Sequence, residues 1–466
     1  MTHTWLNPVD TMWLHTDQAD NPMVIEALVR LDGTLDRERF ARVVEARLVR
    51  RFRVFSQRPV APLLPGMLPR WRDVPDFDHT EHLLDAELDA PGDDAALQDY
   101  MARFLGVPLR RDRPLWEIHV VEGRPQGTAL FVRLHHALAD GIALTRVLVS
   151  ITDEVAEAAD DDEPPERPLT SESDEPSRVG LARRAAQGLR RVLRDAALVV
   201  PIAAKLVGTR LPRTALSGEV VDRKRVVWAR PIALSQVKEV AAQTGATVND
   251  VLASALAGCL ERYQRHHGDL PRDLGTLVPV NLRPLGRPLP SRLGNRFSVV
   301  LLRLPSGRPT TPERLAETKR RMDRIKASPE PLMTFLLMHT IGAAGPRLGR
   351  ALARFFAAKA VGVTTNVPGP AEQRYLAGTR VDSLLGWVPG TGHQSLGTCI
   401  FTYAGQVHVG FKVDAAIVAD PEVVLAGFHA EVDALLAGHG GPAGGADDAE
   451  GLAPATSAVP PLAALT

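Results

Sequence analysis

The sequence is short of cysteine, carries no excess charge of either sign and has no long apolar run, and each shortage removes a class of protein. Two cysteines in 466 residues, Cys259 and Cys399, cannot build a disulfide framework, so a reducing, cytoplasmic setting is expected. Lys+Arg and Asp+Glu both number 55, and a nucleic-acid binder needs a basic bias that this balance lacks; no nucleic-acid partner is expected. No stretch reaches the ~18–20 uninterrupted apolar residues of a membrane-spanning helix. Met1–Asp10 has no basic segment followed by an apolar one, so no secretory leader is expected. No internal repeat is found. What remains is ordinary for a globular protein, 45% hydrophobic and 24% charged, in a chain long enough for two full cores.

Against that background one stretch carries chemistry: His135-His136-Ala137-Leu138-Ala139-Asp140-Gly141. It follows an apolar run, Thr128–Leu134, that reads as a buried strand, and it precedes Ile142–Val155, whose apolar residues recur at helical spacing. A strand-to-helix connection lets rigid flanks aim side chains into a cleft. An imidazole there can take a proton from a hydroxyl near neutral pH, and Gly141 allows a tight backbone or a positive φ. Neighbouring residues on extended backbone point to opposite sides, so His135 and His136 are not expected to share a metal, and no metal site is expected.

The pattern H-H-x-x-x-D-G resembles the active-site motif of the coenzyme A-dependent acyltransferase superfamily. Peptide-synthetase condensation domains share it. Further segments resemble one branch, the bacterial wax ester synthase/diacylglycerol acyltransferase family. These are Pro114-Leu115-Trp116, Asn249-Asp250 at the head of an apolar helix, Val278–Arg283, Leu293-Gly294-Asn295 and Thr365–Pro370. The resemblance spans roughly Leu6 to Leu436 with its pieces in the family's order. It implies an α/β (α+β) fold of two chloramphenicol acetyltransferase-like domains, each a mixed sheet flanked by helices, with an active-site tunnel between them. It also implies a reaction: a fatty acyl group passes from acyl-CoA, a substrate and not a cofactor, to the hydroxyl of diacylglycerol or a long-chain alcohol.

On that resemblance His136 is the general base, His135 orients the loop or His136, Asp140 forms a structural ion pair, and Gly141 completes the motif. Asn249 and Asp250 cap a helix and shape the cleft. Arg283 is a partner for Asp140 or for a coenzyme A phosphate, because guanidinium suits either anion. Asn295 offers its amide to an oxyanion or to substrate. Trp116 marks the family and belongs with the substrate-facing candidates, although a tryptophan on a half-buried strand packs more often than it binds.

Taken in order, the chain divides into an N-terminal domain, 1–158, an acidic linker and crossover helix, 159–222, and a C-terminal domain, 223–437. A Gly-, Ala- and Pro-rich tail, 438–466, is expected to be disordered. Trp5–Asp20 reads as a turn followed by exposed aromatics, including Met12-Trp13. Pro331–Ala344 and Arg347–Val361 read as two apolar helices, either a surface for peripheral contact with membrane or lipid droplet or a buried hairpin. Two other functions fit the motif: a condensation-like or polyketide-associated acyltransferase using a carrier-protein thioester, and a non-catalytic lipid-binding relative.

Overall fold

The computed structural model describes residues 4–18, 21–62, 64, 67–157, 208, 211–282, 290, 292–343 and 345–438. The acidic linker at 160–177, the expected crossover helix apart from Gly208, the tail from 439 and Arg283 lie outside these residues.

The first half contributes β1 (Thr4–Trp5), α1 (Pro8–Thr16), β2 (Val24–Asp32), α2 (Arg37–Val43), β3 (Gln57–Val60) and β4 (Arg70–Asp73). It continues with β5 (Leu83–Glu87), α3 (Asp94–Leu105), β6 (Trp116–Glu122), β7 (Ala129–His135) and α4 (Gly141–Ser150). The second half begins with β8 (Lys224–Trp228), β9 (Ile232–Ala233), α5 (Leu234–Thr244), α6 (Val248–His266), β10 (Leu274–Asn281) and β11 (Phe297–Leu304). Helices α7 (Thr311–Lys326), α8 (Glu330–Ala343) and α9 (Pro346–Ala357) lead to β12 (Gly362–Pro368), β13 (Tyr375–Leu376) and β14 (Thr379–Trp387). The chain then forms β15 (Leu396–Tyr403), β16 (Gln406–Asp414) and α10 (Pro421–Ala437).

Two mixed sheets result, with helices against each, as the resemblance implies. One runs β13-β14-β2-β7-β6-β5 and the other β11-β10-β12-β15-β16-β8, with β9 also on β16. A small sheet, β1-β4-β3, stands apart. Strand β7 is buried along its whole length, as a central strand covered on both faces must be. The β15–β16 hairpin turns on Ala404 and Gly405, both at positive φ, the twist that a two-residue hairpin needs. Helix α6 starts on a capping box, Thr247 and Asp250 satisfying each other's backbone N–H groups, and buries its apolar face in the second core.

Chain order and sheet membership part at two places. Strands β13 and β14, from the second half, extend the first sheet, β14 pairing antiparallel with β2. In return α1, from the first half, packs on the second: Val9 and Met12 share a cluster with Phe297 of β11 and with Met338 and Ile341 of α8. Met12 is therefore buried, and Trp13 half-buried, correcting the expectation of a turn with exposed aromatics. Asn7 accepts the Asp10 N–H as N-cap and Pro8 occupies the first turn, so local sequence starts the helix. Across the interface Lys412 of β16 donates to the buried Glu26 of β2 at 2.8 Å.

The two apolar helices are partly buried and partly exposed. Helix α8 buries Thr334, Met338, Ile341 and Gly342 against α1 and β11, while Leu332, Leu348 and Phe355 stay exposed. Gly342 permits that packing: a Cβ there would meet the Pro8 carbonyl oxygen at 1.7 Å. Gly342→Ala is therefore expected to lower stability by about 1–3 kcal/mol, as other overpacking changes do. Chemical denaturation measures it, and an unchanged midpoint would disprove the close contact of α1 and α8.

Candidate active site

The strand-to-helix connection lies where three remote segments meet. His135 ends β7, the His136 N–H donates to the Met23 carbonyl at 2.8 Å, and Gly141 opens α4. Asp140 is the N-cap of α4: its Oδ1 accepts the Ala143 N–H at 2.8 Å, and its Oδ2 accepts the Arg296 N–H at 3.0 Å. One carboxylate thus starts the helix and ties the motif to the second half of the chain. The partner considered for it, Arg283, lies outside the described residues.

His136 is buried, and its ring stacks on Trp13 with centroids 4.1 Å apart and planes 15° from parallel. Phe297 lies 5.6 Å away on a similar plane. Its Nδ1 is 3.1 Å from Asn295 Oδ1. Asn295 Nδ2 donates both to Asp10 Oδ1 and to the His136 carbonyl, each at 2.8 Å, and its backbone N–H reaches Asp10 Oδ1 at 2.9 Å. With its NH2 committed to two acceptors, the amide can present only its oxygen to the ring. Nδ1 therefore carries the proton and Nε2 holds a lone pair, the tautomer a base requires. Burial drives the imidazole pKa down to about 4, so the ring is neutral at pH 7.

Two carboxylates that the sequence reading passed over support this arrangement. Burial pushes Asp10 up to about 7, against the lowering effect of its Asn295 and Asn7 donors. Asp17 lies 3.5 Å from His135 Nε2 and accepts from the Met23 N–H and from Arg111, each at 2.9 Å. Burial would raise Asp17, but these partners, His135 foremost, hold it at about 2. His135 Nδ1 accepts the Ala137 N–H at 3.0 Å, a bond that braces the loop. The signal for Asp10 and Trp13 was present: Asn-Pro-x-Asp is a helix start, and the helix faces the histidine.

The other candidates divide. Asn295 does not offer its amide to an oxyanion, since both its hydrogens are already engaged. Trp116 is a packing residue: it is buried, donates from Nε1 to the Phe55 carbonyl at 2.7 Å and stacks on His82. Asp250 is buried in its capping box and touches no motif residue among the described residues. Asn249 accepts from Asn366 Nδ2 on β12, which joins two of the resembling segments. On β12 the flanking Thr365 and Val367 line a narrow apolar cavity of about 90 Å³. Leu130, Val132 and Leu134 of β7, Leu144 and Leu148 of α4, and Phe401 of β15 complete much of its wall, so both halves contribute.

The cavity meets the motif at Gly141, not at His136. Gly141 keeps an ordinary φ, so its role is room rather than backbone freedom: no atom lies within 4 Å of the Cβ it lacks.

Comparison with known proteins agrees along most of the chain. Residues 6–252 match the wax ester synthase/diacylglycerol acyltransferase catalytic domain, and residues 293–436 match the C-terminal domain of the same family. A putative diacylglycerol O-acyltransferase of Mycobacterium tuberculosis is 30% identical over 396 residues, covering 79% of this chain and 82% of its own. A probable diacylglycerol O-acyltransferase of the same species is 29% identical over 456 residues, 93% and 96% of the two chains. Among solved structures, the wax ester synthase/diacylglycerol acyltransferase of Marinobacter aquaeolei superposes with a TM-score of 0.67 at 22% identity, over 94% of this chain and 99% of that one. The first condensation domain of the calcium-dependent antibiotic synthetase shares the fold, with a TM-score of 0.63 at 18% identity over 94% and 98%.

Replacing Asn295 by Ala would leave Asp10 and the His136 carbonyl without a donor and free the imidazole tautomer. Stability is expected to fall by about 1–3 kcal/mol, and the His136 15N resonances to move from a fixed Nδ1–H form to a mixture. An unchanged nitrogen spectrum would show that Asn295 does not set the tautomer.

Proposed function

Because this chain belongs to the wax ester synthase/diacylglycerol acyltransferase family, we propose that it transfers a fatty acyl group from acyl-CoA to the hydroxyl of diacylglycerol or a long-chain alcohol, with His136 as general base. The observation that carries the reading is the Asn295 amide, which leaves His136 neutral with its lone pair on Nε2. The acceptor hydroxyl gives its proton to Nε2 while its oxygen attacks the thioester carbonyl. Collapse of the tetrahedral adduct breaks the C–S bond, and the departing thiolate takes the proton back, giving ester and free CoA. No acyl-enzyme is needed when both substrates are held together. The imidazolium formed in passing lies on the Trp13 face, where a cation is favoured.

The apolar cavity suits the acyl or alkyl chain, because its wall draws methylenes out of water. On α9 the exposed Leu348 and Phe355 share one helix with Arg347, Arg350 and Arg354, a combination that favours peripheral contact with an anionic membrane or lipid-droplet surface from the cytoplasmic side. Among the described residues no helix is long and apolar enough to cross a membrane.

The direct test follows thiol release and neutral lipid from palmitoyl-CoA with hexadecanol or dioleoylglycerol. Product from either supports transfer; product from neither moves weight to a carrier-protein thioester, the donor of a condensation-like reaction. His136→Ala is expected to cut turnover by about 10²–10⁴-fold, and near-normal turnover in the folded variant would remove His136 from the role.

A lowered imidazole pKa also predicts a pH profile. The acid limb of kcat/KM is expected well below the ordinary 6.5, toward about 4, because Nε2 takes a solvent proton only there. Over the same window the unfolded chain takes up the His136 proton more readily than the folded one, so the contribution of His136 to stability falls as pH drops from 6.5 toward 4, while that of Asp10, raised to about 7, grows. An acid limb at or above 6.5, with circular dichroism unchanged, would contradict a buried neutral base.

A further inference from the structure

A second cluster of histidines lies in the C-terminal half, on a face that the proposed transfer does not use. His266 is the last residue of α6 and His267 its C-cap, while Asp420 stands at the N-cap position of α10. An aspartate heading a helix ordinarily accepts a backbone N–H of the first turn. Asp420 makes no such bond. Its Oδ1 accepts the Tyr263 hydroxyl at 2.9 Å, and its Oδ2 lies 3.2 Å from His267 Nε2 and 3.9 Å from His266 Nε2. The three ligand atoms all lie within 4.8 Å of one another.

An ion pair would need only one imidazolium. Two would repel across rings whose centroids are 5.1 Å apart. Two neutral imidazoles and a carboxylate, by contrast, put three ligand atoms within reach of one ion. The neighbouring cations have other partners: Arg265 pairs with Glu261, and Arg262 with Glu431. Adjacent residues inside a helix diverge, and it is the end of α6 after His266 that lets His267 swing back toward its neighbour.

We propose that His266, His267 and Asp420 form a surface site for a borderline divalent metal ion, zinc above all, with solvent completing the coordination. Two imidazoles select such an ion over magnesium or calcium, which prefer all-oxygen sets. Tetrahedral zinc at its usual bond lengths holds ligand atoms about 3.3 Å apart. The His267–Asp420 separation already meets this, and the exposed His266 needs only a small swing. Tyr263, buried beneath with its ring 4.5 Å from that of His267, fixes Asp420 as outer-sphere donors do. Bound metal would clamp the end of α6 to the start of α10, two helices that pack on each other in the second core.

The test uses the full chain, freed of any affinity tag, treated with chelator and dialysed, then titrated with zinc chloride by calorimetry. One zinc per chain is expected, with a rise in melting temperature that magnesium does not reproduce. His266→Ala/His267→Ala should abolish both, and Asp420→Asn, which keeps an acceptor for Tyr263, should weaken binding at least tenfold. Equal zinc binding by the parent and the double variant would overturn the site, as would no binding by the parent. Acyl transfer should be unaffected in these variants, so a failure here is separate from a failure of the proposed reaction.

Discussion

A single carboxamide, Asn295, governs the geometry around the motif. It comes from the second half of the chain, yet its hydrogen bonds join α1 through Asp10 to the end of β7 through both the ring and the carbonyl of His136. Each partner has only one consistent role: the carboxylate and carbonyl accept, so the amide nitrogen must face them and the oxygen must face the imidazole. In a buried site such a network is worth most when every member is satisfied. The tautomer, the place of α1 and the approach of the two halves are therefore one problem with one solution.

The halves are interlocked rather than merely adjacent. Strands β13 and β14 complete the first sheet, and α1 packs on β11 and α8 of the second half. Polar contacts fix the register: Asp140 accepts the Arg296 N–H, and Lys412 reaches the buried Glu26. A buried ion pair is weak evidence of stability, because taking both charges out of water offsets their attraction. Its effect is on alignment, since any shift would strand a charge in a low-dielectric interior. A cavity built from β7, α4, β12 and β15 needs that alignment, because its wall belongs to neither half alone.

Burial also shapes the chemistry. The pressure that lowers His136 raises Asp10, and both shifts favour the uncharged forms. Around one amide the protein keeps a neutral imidazole beside a carboxyl group poised near neutrality. Asp17, with His135, Arg111 and a backbone N–H against it, stays ionised a short distance away. Water exclusion and proton affinity are thus set by the same packing.

Much was legible from the residues alone. The histidine motif lay between a buried strand and a helix because period and turn chemistry are local, and the Thr247 cap, the β15–β16 hairpin and α7 follow from the same rules. The missed elements fail for a physical reason. Helix α1 is short, and its partners are hundreds of residues away; β14 alternates, but nothing local says that it pairs with β2. Trp116 looks the same in sequence whether it packs or binds, and only a backbone carbonyl at Phe55 decides for packing. The sequence by itself determined most of the elements, the family and the place of the histidine motif between strand and helix. Which nitrogen is free, what holds it and what shares the cavity wall were decided by tertiary structure alone, because hydrogen-bond satisfaction depends on partners brought together only when the chain is folded.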